Sequence, residues 1–148
     1  MRALAVALAL VAAPAAAQSP QQEAKGSFDV RVTPVSAAGE LPRLSIDKTY
    51  HGDLEGTGTG QMLADGDGSK SHGAYVAIEI VKGTIRGRSG SFTLAHRGTM
   101  GAAGVNMSVI IVPESGTDGL AGIEGDLDIK IEGGKHFYTL RYRLPPAK

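Results

Sequence analysis

Hydrophobic and polar residues alternate strictly in four segments of this chain, which is the pattern of a half-buried β-strand. In the first segment Phe28, Val30 and Val32 share one face, and polar side chains take the other. One-sided alternation of this kind is typical of an antiparallel sheet with one wet face. The other three segments present Leu44, Ile46 and Tyr50 (with Lys48 interrupting the apolar face), Leu127, Ile129 and Ile131, and Tyr138, Leu140, Tyr142 and Leu144.

Four further segments are less one-sided but are bounded by turn residues, and they cover residues 54–63, 74–81, 91–100 and 105–112. Gly133-Gly134 between two alternating runs indicates a two-residue hairpin turn. About eight strands with short turns favour an up-and-down meander, and closing it removes the exposed edges. The sequence therefore predicts an all-β fold, a single closed antiparallel β-barrel of about eight strands.

The first 17 residues are predicted to be a signal peptide. Arg2 precedes an apolar run over residues 3–11, and small residues ending in Ala15-Ala16-Ala17 form a cleavage site. The apolar stretch is shorter than the ~20 residues of a membrane-spanning helix, so no membrane span is expected after cleavage. We expect an exported protein, periplasmic or secreted, with a flexible spacer over residues 18–25 and a barrel domain over residues 26–146.

Composition excludes several classes of function. The chain has no cysteine, which rules out thiol catalysis and thiolate metal sites. Its formal net charge is 0 and it has no basic run, so no nucleic-acid partner is expected. The glycines of Gly56-Thr57-Gly58-Thr59-Gly60 lack the lysine and helix of a phosphate loop. In a strand they allow tight coiling, which is the favoured interpretation, or leave space for a ligand against the backbone. The turn at residues 51–55 carries a histidine and two acids but matches no metal-ligand spacing. No cofactor and no metal site are predicted.

The alternation points several polar aromatic side chains into the predicted barrel. Histidine in an apolar cavity is suited to proton transfer near neutral pH. Buried histidine and tyrosine also commonly hydrogen-bond only to one another or to the backbone, so a purely structural role is the alternative. The candidate ligand-binding residues are Tyr50, His96, His136, Tyr138 and Tyr142.

Glu79 is ambiguous because its strand is apolar on both faces. Local hydrophobicity turns Glu79 to solvent, whereas the opposite register buries it and exposes Val76, Ile78 and Ile80. That exposed stripe would suit a partner subunit in a homo-oligomer, a dimer or trimer. A buried carboxylate beside a histidine would have a perturbed pKa, which makes Glu79 and His96 the catalytic candidates.

Several stretches of the chain form an ordered set of motifs, among them Leu44-Ser45-Ile46-Asp47-Lys48, Gly73-Ala74-Tyr75-Val76-Ala77-Ile78-Glu79, Ser91-Phe92-Thr93-Leu94-Ala95-His96 and Gly134-Lys135-His136-Phe137-Tyr138. In this order they resemble an uncharacterised bacterial family, the domain of unknown function numbered 3224. The resemblance runs from about Gly26 to Pro145, and it implies a barrel of the allene oxide cyclase type. Plant cyclases of that type close a fatty-acid epoxide in an apolar barrel, and a shared fold alone does not transfer their activity.

Three functions fit these observations. The first is a barrel that binds a small, largely apolar ligand in its interior. The second is an isomerase- or cyclase-type enzyme in which His96 or Glu79 moves a proton. The third is a non-catalytic oligomeric structural or stress protein with a filled core. A roomy interior favours the first two, and a raised Glu79 pKa favours the enzyme.

Overall fold

The computed structural model describes residues 19–66 and 72–146, and these residues form a closed antiparallel barrel of eight strands. This confirms the predicted fold class; the likeness to allene oxide cyclases stays a prediction, and the predicted signal peptide lies outside the described residues. No helix in the described ranges is long and apolar enough to cross a membrane. The strands are β1 (Gln22–Pro34), β2 (Arg43–Gly52), β3 (Leu54–Asp65), β4 (His72–Ile85), β5 (Arg88–Gly101), β6 (Gly104–Ile111), β7 (Glu124–Glu132) and β8 (Lys135–Arg143).

Each strand pairs with the next one along the chain, and β8 pairs with β1 to close the barrel. Strand β1 pairs with β2 through residues 26–34 but with β8 through residues 22–28. This stagger tilts the strands against the barrel axis, as closure requires. In such a meander the C-terminal ends of odd-numbered strands and the N-terminal ends of even-numbered strands lie together at one end.

Strand β1 begins four residues before the predicted start of the barrel. Residues 22–25 were expected in the spacer, but they pair with β8, and Ala24 opposite Leu140 is completely buried. The alternation did not reveal this part of the strand because its inward-facing residues are Gln22, Ala24 and Gly26, which are small or polar. The tertiary pairing with β8 decides the structure here.

The two ends of the barrel differ. At one end, called the closed end, Leu120 and Ile123 from the connection between β6 and β7 are completely buried and join the core. At the other, called the open end, five apolar side chains at inward-facing positions remain 36–67% exposed. These open-end side chains are Val32, Met100, Val105, Met107 and Ile131.

Strand β4 adopts the register that its local hydrophobicity disfavours. Glu79 is completely buried, whereas Val76, Ile78 and Ile80 are each about half exposed on the outer face. The alternation in a strand means that these outcomes are coupled, since a one-residue slip would exchange the two faces. The partners that hold Glu79 inside are on the neighbouring strands.

Candidate functional site

A buried polar cluster lies in the middle of the barrel, around the Glu79 carboxylate. The Lys48 ammonium donates to Glu79 Oε2 over 2.7 Å, and the Tyr50 hydroxyl donates to Oε1 over 2.7 Å. His96 Nε2 lies 3.0 Å from Oε2. The side chains of Lys48, Glu79 and His96 are 5%, 0% and 4% exposed, so the interactions are formed almost without solvent.

Alternation places these four side chains on one inner surface. Lys48 and Tyr50 are consecutive inward-facing positions of β2, Glu79 is inward-facing on β4, and His96 is inward-facing on β5. Strand β3 separates β2 from β4, so the carboxylate must reach across it to meet Lys48 and Tyr50.

Gly58 on β3 makes that reach possible. A Cβ atom at this position would overlap Glu79 Oε1 and would lie 2.9 Å from its carboxyl carbon. The alternating glycines were interpreted as a device for coiling the strand. At Gly58 the missing side chain also gives the carboxylate its space, which is the other known use of glycine in a strand.

The cluster shifts the pKa values of Glu79 and Tyr50 in opposite directions. Burial raises the pKa of Glu79, but the nearby His96 and the charge and hydrogen bond of Lys48, with the Tyr50 hydrogen bond, outweigh it and lower the pKa below its usual 4.5. Burial and the negative charge of Glu79 raise the pKa of Tyr50 well above 10. At neutral pH Glu79 is therefore an anion, and Tyr50 is a neutral hydrogen-bond donor.

Lys48 was not among the candidate site residues, although the sequence shows it as the one charged residue on the apolar face of its strand. Its ammonium lies 4.6 Å from the centre of the Phe28 ring and 5.6 Å from that of Tyr50. Both distances fall within the range of cation–π attraction. The charge is therefore balanced by a carboxylate and by aromatic faces, which is how a buried lysine is tolerated.

His96 is the least constrained member of the cluster. Its Nε2 approaches Glu79 at 3.0 Å but outside hydrogen-bond geometry, and it has no hydrogen-bond partner in the described part of the chain. A buried polar atom of this kind is uncommon and is a feature of functional sites as well as of strained ones.

The other predicted ligand residues make no hydrogen bond to the cluster, although the Tyr138 ring packs 5.6 Å from that of Tyr50. The Tyr138 hydroxyl accepts the Leu54 N–H at 2.9 Å and lies 3.2 Å from the His51 carbonyl, so it fastens the turn between β2 and β3 at the closed end. Tyr142 donates to Gln22 Oε1 at 3.3 Å. His136 is half-buried, with its ring 5.1 Å from that of Phe28. Among the candidates, the structure brings together Tyr50, Glu79 and His96.

The acidic turn after β2 has a structural explanation. Asp53 accepts the Lys25 N–H at 2.8 Å, and Glu55 accepts the Gly52 N–H at 2.7 Å. His51 lies 3.0 Å from Asp29 on the exposed surface. Within residues 19–66 and 72–146, no group of three or more histidine or acidic side chains is arranged to hold a metal ion.

Comparison with known proteins identifies the family. The model of the family described as "Protein of unknown function (DUF3224)" matches residues 24–142. The chain belongs to this family. A solved structure of a DUF3224 protein of unknown function from Shewanella oneidensis MR-1 is similar, with 38% identity and a TM-score of 0.78. The match covers 86% of this chain and all of that one. No curated protein matches the chain.

The close approach of Gly58 to Glu79 generates a first prediction. Gly58→Ala should destabilise the protein by roughly 1–3 kcal/mol, because the added methyl group must displace the carboxylate from its partners. Gly101→Ala is the matched control, since a Cβ atom there meets no atom within 4 Å. Urea unfolding of both variants measures the difference, and equal free energies of unfolding would contradict the proposed role of Gly58.

The buried ion pair generates a second prediction. Lys48→Met and Glu79→Gln should each cost roughly 3–5 kcal/mol, because each leaves one buried charge uncompensated, and the double variant should cost clearly less than their sum. The control is Lys25→Met, which removes a 2.7 Å pair with Glu23 in which both side chains are about half exposed. That change should cost less than about 1 kcal/mol. Additive losses for Lys48 and Glu79 in urea unfolding would refute the coupling.

Proposed function

We propose that this protein is an exported barrel that binds a small, largely apolar molecule at the open end of its interior. The observation that carries the proposal is the asymmetry of the two ends. Leu120 and Ile123 cover the core at the closed end, whereas apolar side chains at inward-facing positions are left exposed at the open end. Apolar surface gathered in a concave site is the usual feature of a small-molecule pocket.

A ligand at the open end would gain free energy from these side chains. Full burial of a valine, isoleucine or methionine side chain is worth roughly 1.5–3 kcal/mol. Because the five open-end side chains are already partly covered, a ligand would gain about half of that from each one that it touches. Contact with three or four of them contributes roughly 2–6 kcal/mol, and burial of the ligand's own apolar surface has to supply the rest of the ~8 kcal/mol of a micromolar complex.

The polar cluster forms the layer beneath this surface. Ile46 and Ala77 lie one inward-facing position closer to the open end than Lys48 and Glu79, and both are buried. A ligand at the open end would therefore rest on an apolar floor, with the charged cluster behind it. A few convergent polar groups behind an apolar lining commonly fix the orientation of a bound molecule.

The two other functions are supported less well. An enzyme in which Glu79 transfers protons requires a raised pKa, but the pKa of this carboxyl is lowered by its partners. A barrel with a filled core is favoured by the packing around the cluster, where the Tyr50 ring lies 5.5 Å from Phe28 and 5.6 Å from Tyr138. That packing occupies the middle and the closed end, and the open end is left for a ligand.

The export part of the proposal is supported by the amino-terminal pattern. A positive start, an apolar run over residues 3–11 and the small residues before Gln18 fit a secretory leader. Export would bring the chain into an oxidising compartment, and a chain without cysteine forms no disulfide there. The mass of the mature protein would then correspond to a chain that starts at Gln18.

We further propose that the outer face of strands β3–β6 pairs with a second copy of this chain. On this face nine neighbouring outward-facing residues, Ile78 among them, are uncharged, and the border includes Arg97, the register partner of Val76, and Lys82, two positions beyond Ile80. A groove of about 450 Å³ crosses this face. The outward-facing residues that pair with one another across β3, β4, β5 and β6 form one continuous surface. It consists of Thr59, Gln61, Leu63, Val76, Ile78, Ile80, Thr93, Ala95 and Ile110.

A second copy is favoured as the occupant because a face without charge is complementary to itself. The uncharged centres of two such faces bring no like charges together, and Arg43, Lys82 and Arg97 lie at the border. At ~4.8 Å between strands and ~3.3 Å per residue, the five residues of β3, five of β4, three of β5 and one of β6 that this surface spans cover roughly 220 Å². That area suits the apolar core of an interface in which each partner buries about 800 Å².

Substitutions of two isoleucines of similar exposure test the ligand site and the interface independently. Ile131 is 61% exposed at the open end, and Ile78 is 55% exposed on the outer face. Ile131→Asn should weaken binding of the apolar fluorescent probe N-phenyl-1-naphthylamine by roughly four- to twelvefold and leave the dimer intact, since one partly covered side chain is worth about 0.75–1.5 kcal/mol to the ligand. Ile78→Asn should give a monomer with unchanged probe affinity.

Probe titration and light scattering after size exclusion measure the two outcomes on the same samples. Absence of probe binding by the unchanged protein, or equal affinity in both variants, would contradict the ligand site. A monomeric unchanged protein at high micromolar concentration would contradict the interface. Either part can therefore fail while the other stands.

A further inference from the structure

Strand β1 runs past the beginning of β8 and leaves one of its edges unpaired at the open end. It pairs with β2 as far as Pro34, but its register pairs with β8 end at Phe28 and His136. Within the described part of the chain, no strand other than β2 pairs with residues 29–34. The side of β1 that meets β8 up to Phe28 is therefore a free sheet edge over residues 29–34, called the free edge below.

The hydrogen bonds of Lys25 show which backbone groups point out of the free edge. Its N–H donates to Asp53 Oδ2 and its carbonyl accepts from the Asp53 N–H, so both groups face the β2 side. The register with β2 is unbroken over residues 26–34, and the direction of the backbone groups alternates along an antiparallel strand. The N–H and C=O groups of Val30 and Val32 therefore face the opposite side, where no ladder partner exists among the described residues. Such groups are a template for a further strand.

A hollow of about 430 Å³ lies where the free edge meets the start of β8. Asp29 and Val30 line it from β1, and Gly134, Lys135 and His136 line it from the end of the hairpin between β7 and β8. The chain turns away from β1 at this hairpin, where Gly134 has a φ of +76°. The hollow is therefore the space that β8 would fill if it began earlier along β1.

The hollow holds one lysine and one carboxylate that are not paired with each other. Among the described residues, no carboxylate lies within 4 Å of the Lys135 ammonium, and Glu132 across the hairpin contacts Lys130 over 3.0 Å. The Asp29 carboxylate lies 3.0 Å from His51 Nε2, on the next strand. An anionic group that enters the hollow would therefore find an available cation in Lys135.

We propose that the free edge binds the carboxyl-terminal end of an extended peptide from another protein, which adds a strand antiparallel to β1. An antiparallel strand runs in the same direction as β8, so its last residue faces Val30 and its carboxylate enters the hollow beside Lys135. A parallel strand would bring its terminal ammonium against that of Lys135. Addition of a strand to a sheet edge and capture of a terminal carboxylate are both known modes of peptide recognition.

A second copy of β1 fits the free edge poorly. Pairing Val30 with Val32 places the two copies of Arg31 directly opposite each other, and like charges in facing positions destabilise a sheet. Pairing Val32 with Val32 places Pro34 opposite Val30, and proline has no N–H to donate. The occupant is therefore a peptide of different sequence.

Alternation gives the sequence that the peptide should have. Its last residue points inward beside Val30, next to Phe28 and His136 of the hollow, so an apolar side chain is favoured. Its third-last residue faces Val32, which is 43% exposed, and an apolar side chain is favoured there too. Its second-last residue points outward beside Arg31, whose side chain is 79% exposed, so an acidic residue is favoured. The expected ending is Val-Glu-Val with a free carboxylate.

A fluorescein-labelled hexapeptide, Gly-Ser-Gly-Val-Glu-Val, tests the proposal by fluorescence anisotropy with the unchanged protein. An amide in place of its carboxylate should weaken binding roughly tenfold or more, since the Val30 N–H and the Lys135 ammonium lose a charged acceptor. N-methylation of the last residue should weaken binding by a similar factor, because that N–H donates to the Val30 carbonyl. N-methylation of the second-last residue should change the affinity less than about twofold, because that N–H points away from β1.

Lys135→Met should weaken binding of the free-acid peptide roughly tenfold and leave binding of the amide peptide unchanged. The matched control is Lys82→Met, which removes an exposed lysine of β4 away from the free edge and should leave both affinities unchanged. Urea unfolding shows that both variants are folded under the conditions of the titration.

Equal affinities for the free-acid and amide peptides would overturn the recognition of the carboxylate. Equal losses on N-methylation of the last and second-last residues would overturn the addition of a strand. Absence of hexapeptide binding by the unchanged protein up to about 1 mM would overturn the whole proposal. Binding of N-phenyl-1-naphthylamine is a separate measurement, so the ligand site at the open end stands or fails independently of these results.

Discussion

The contact of the Glu79 carboxylate with the Lys48 ammonium and the Tyr50 hydroxyl is the interaction on which the rest of the structure depends. It holds a charge inside an apolar barrel and thereby fixes the register of β4. Because alternate residues of a strand face opposite ways, burying Glu79 puts Ile78 on the outer surface. The same contact requires Gly58 on the strand between, since any side chain there would take the space of the carboxylate.

A buried ion pair is a weak source of stability, because taking both charges out of water offsets most of their attraction. Its value here lies in specificity, since only one register of β4 brings Glu79 to its partners. Without that constraint, the apolar residues of β4 would favour the register that buries Ile78 and Ile80. The protein has an exposed apolar face around Ile78 as a consequence.

The strands of the barrel could be predicted because residues such as Phe28, Val30 and Val32 alternate with polar neighbours. Glu79 could not be placed, since its own strand is apolar on both faces and its partners are 29 and 31 residues away in the chain. Lys48 was visible as an interruption of an apolar face, but its partner was not. The roles of Tyr138 and Tyr142 depend on which turn or strand each hydroxyl meets, and alternation gives only the direction of the ring.

The most direct test of the central interaction is the titration of the Glu79 carboxyl carbon by nuclear magnetic resonance. The pKa of Glu79 in the folded protein should lie below its usual 4.5. A lowered pKa means that the ionised carboxylate stabilises the fold above about pH 4.5, and that this contribution is lost as the pH falls through the folded-state pKa. Lys48→Met should move the midpoint upward, because burial then acts without the opposing charge. A midpoint above 4.5 in the unchanged protein would contradict the ion pair and with it the explanation of the β4 register.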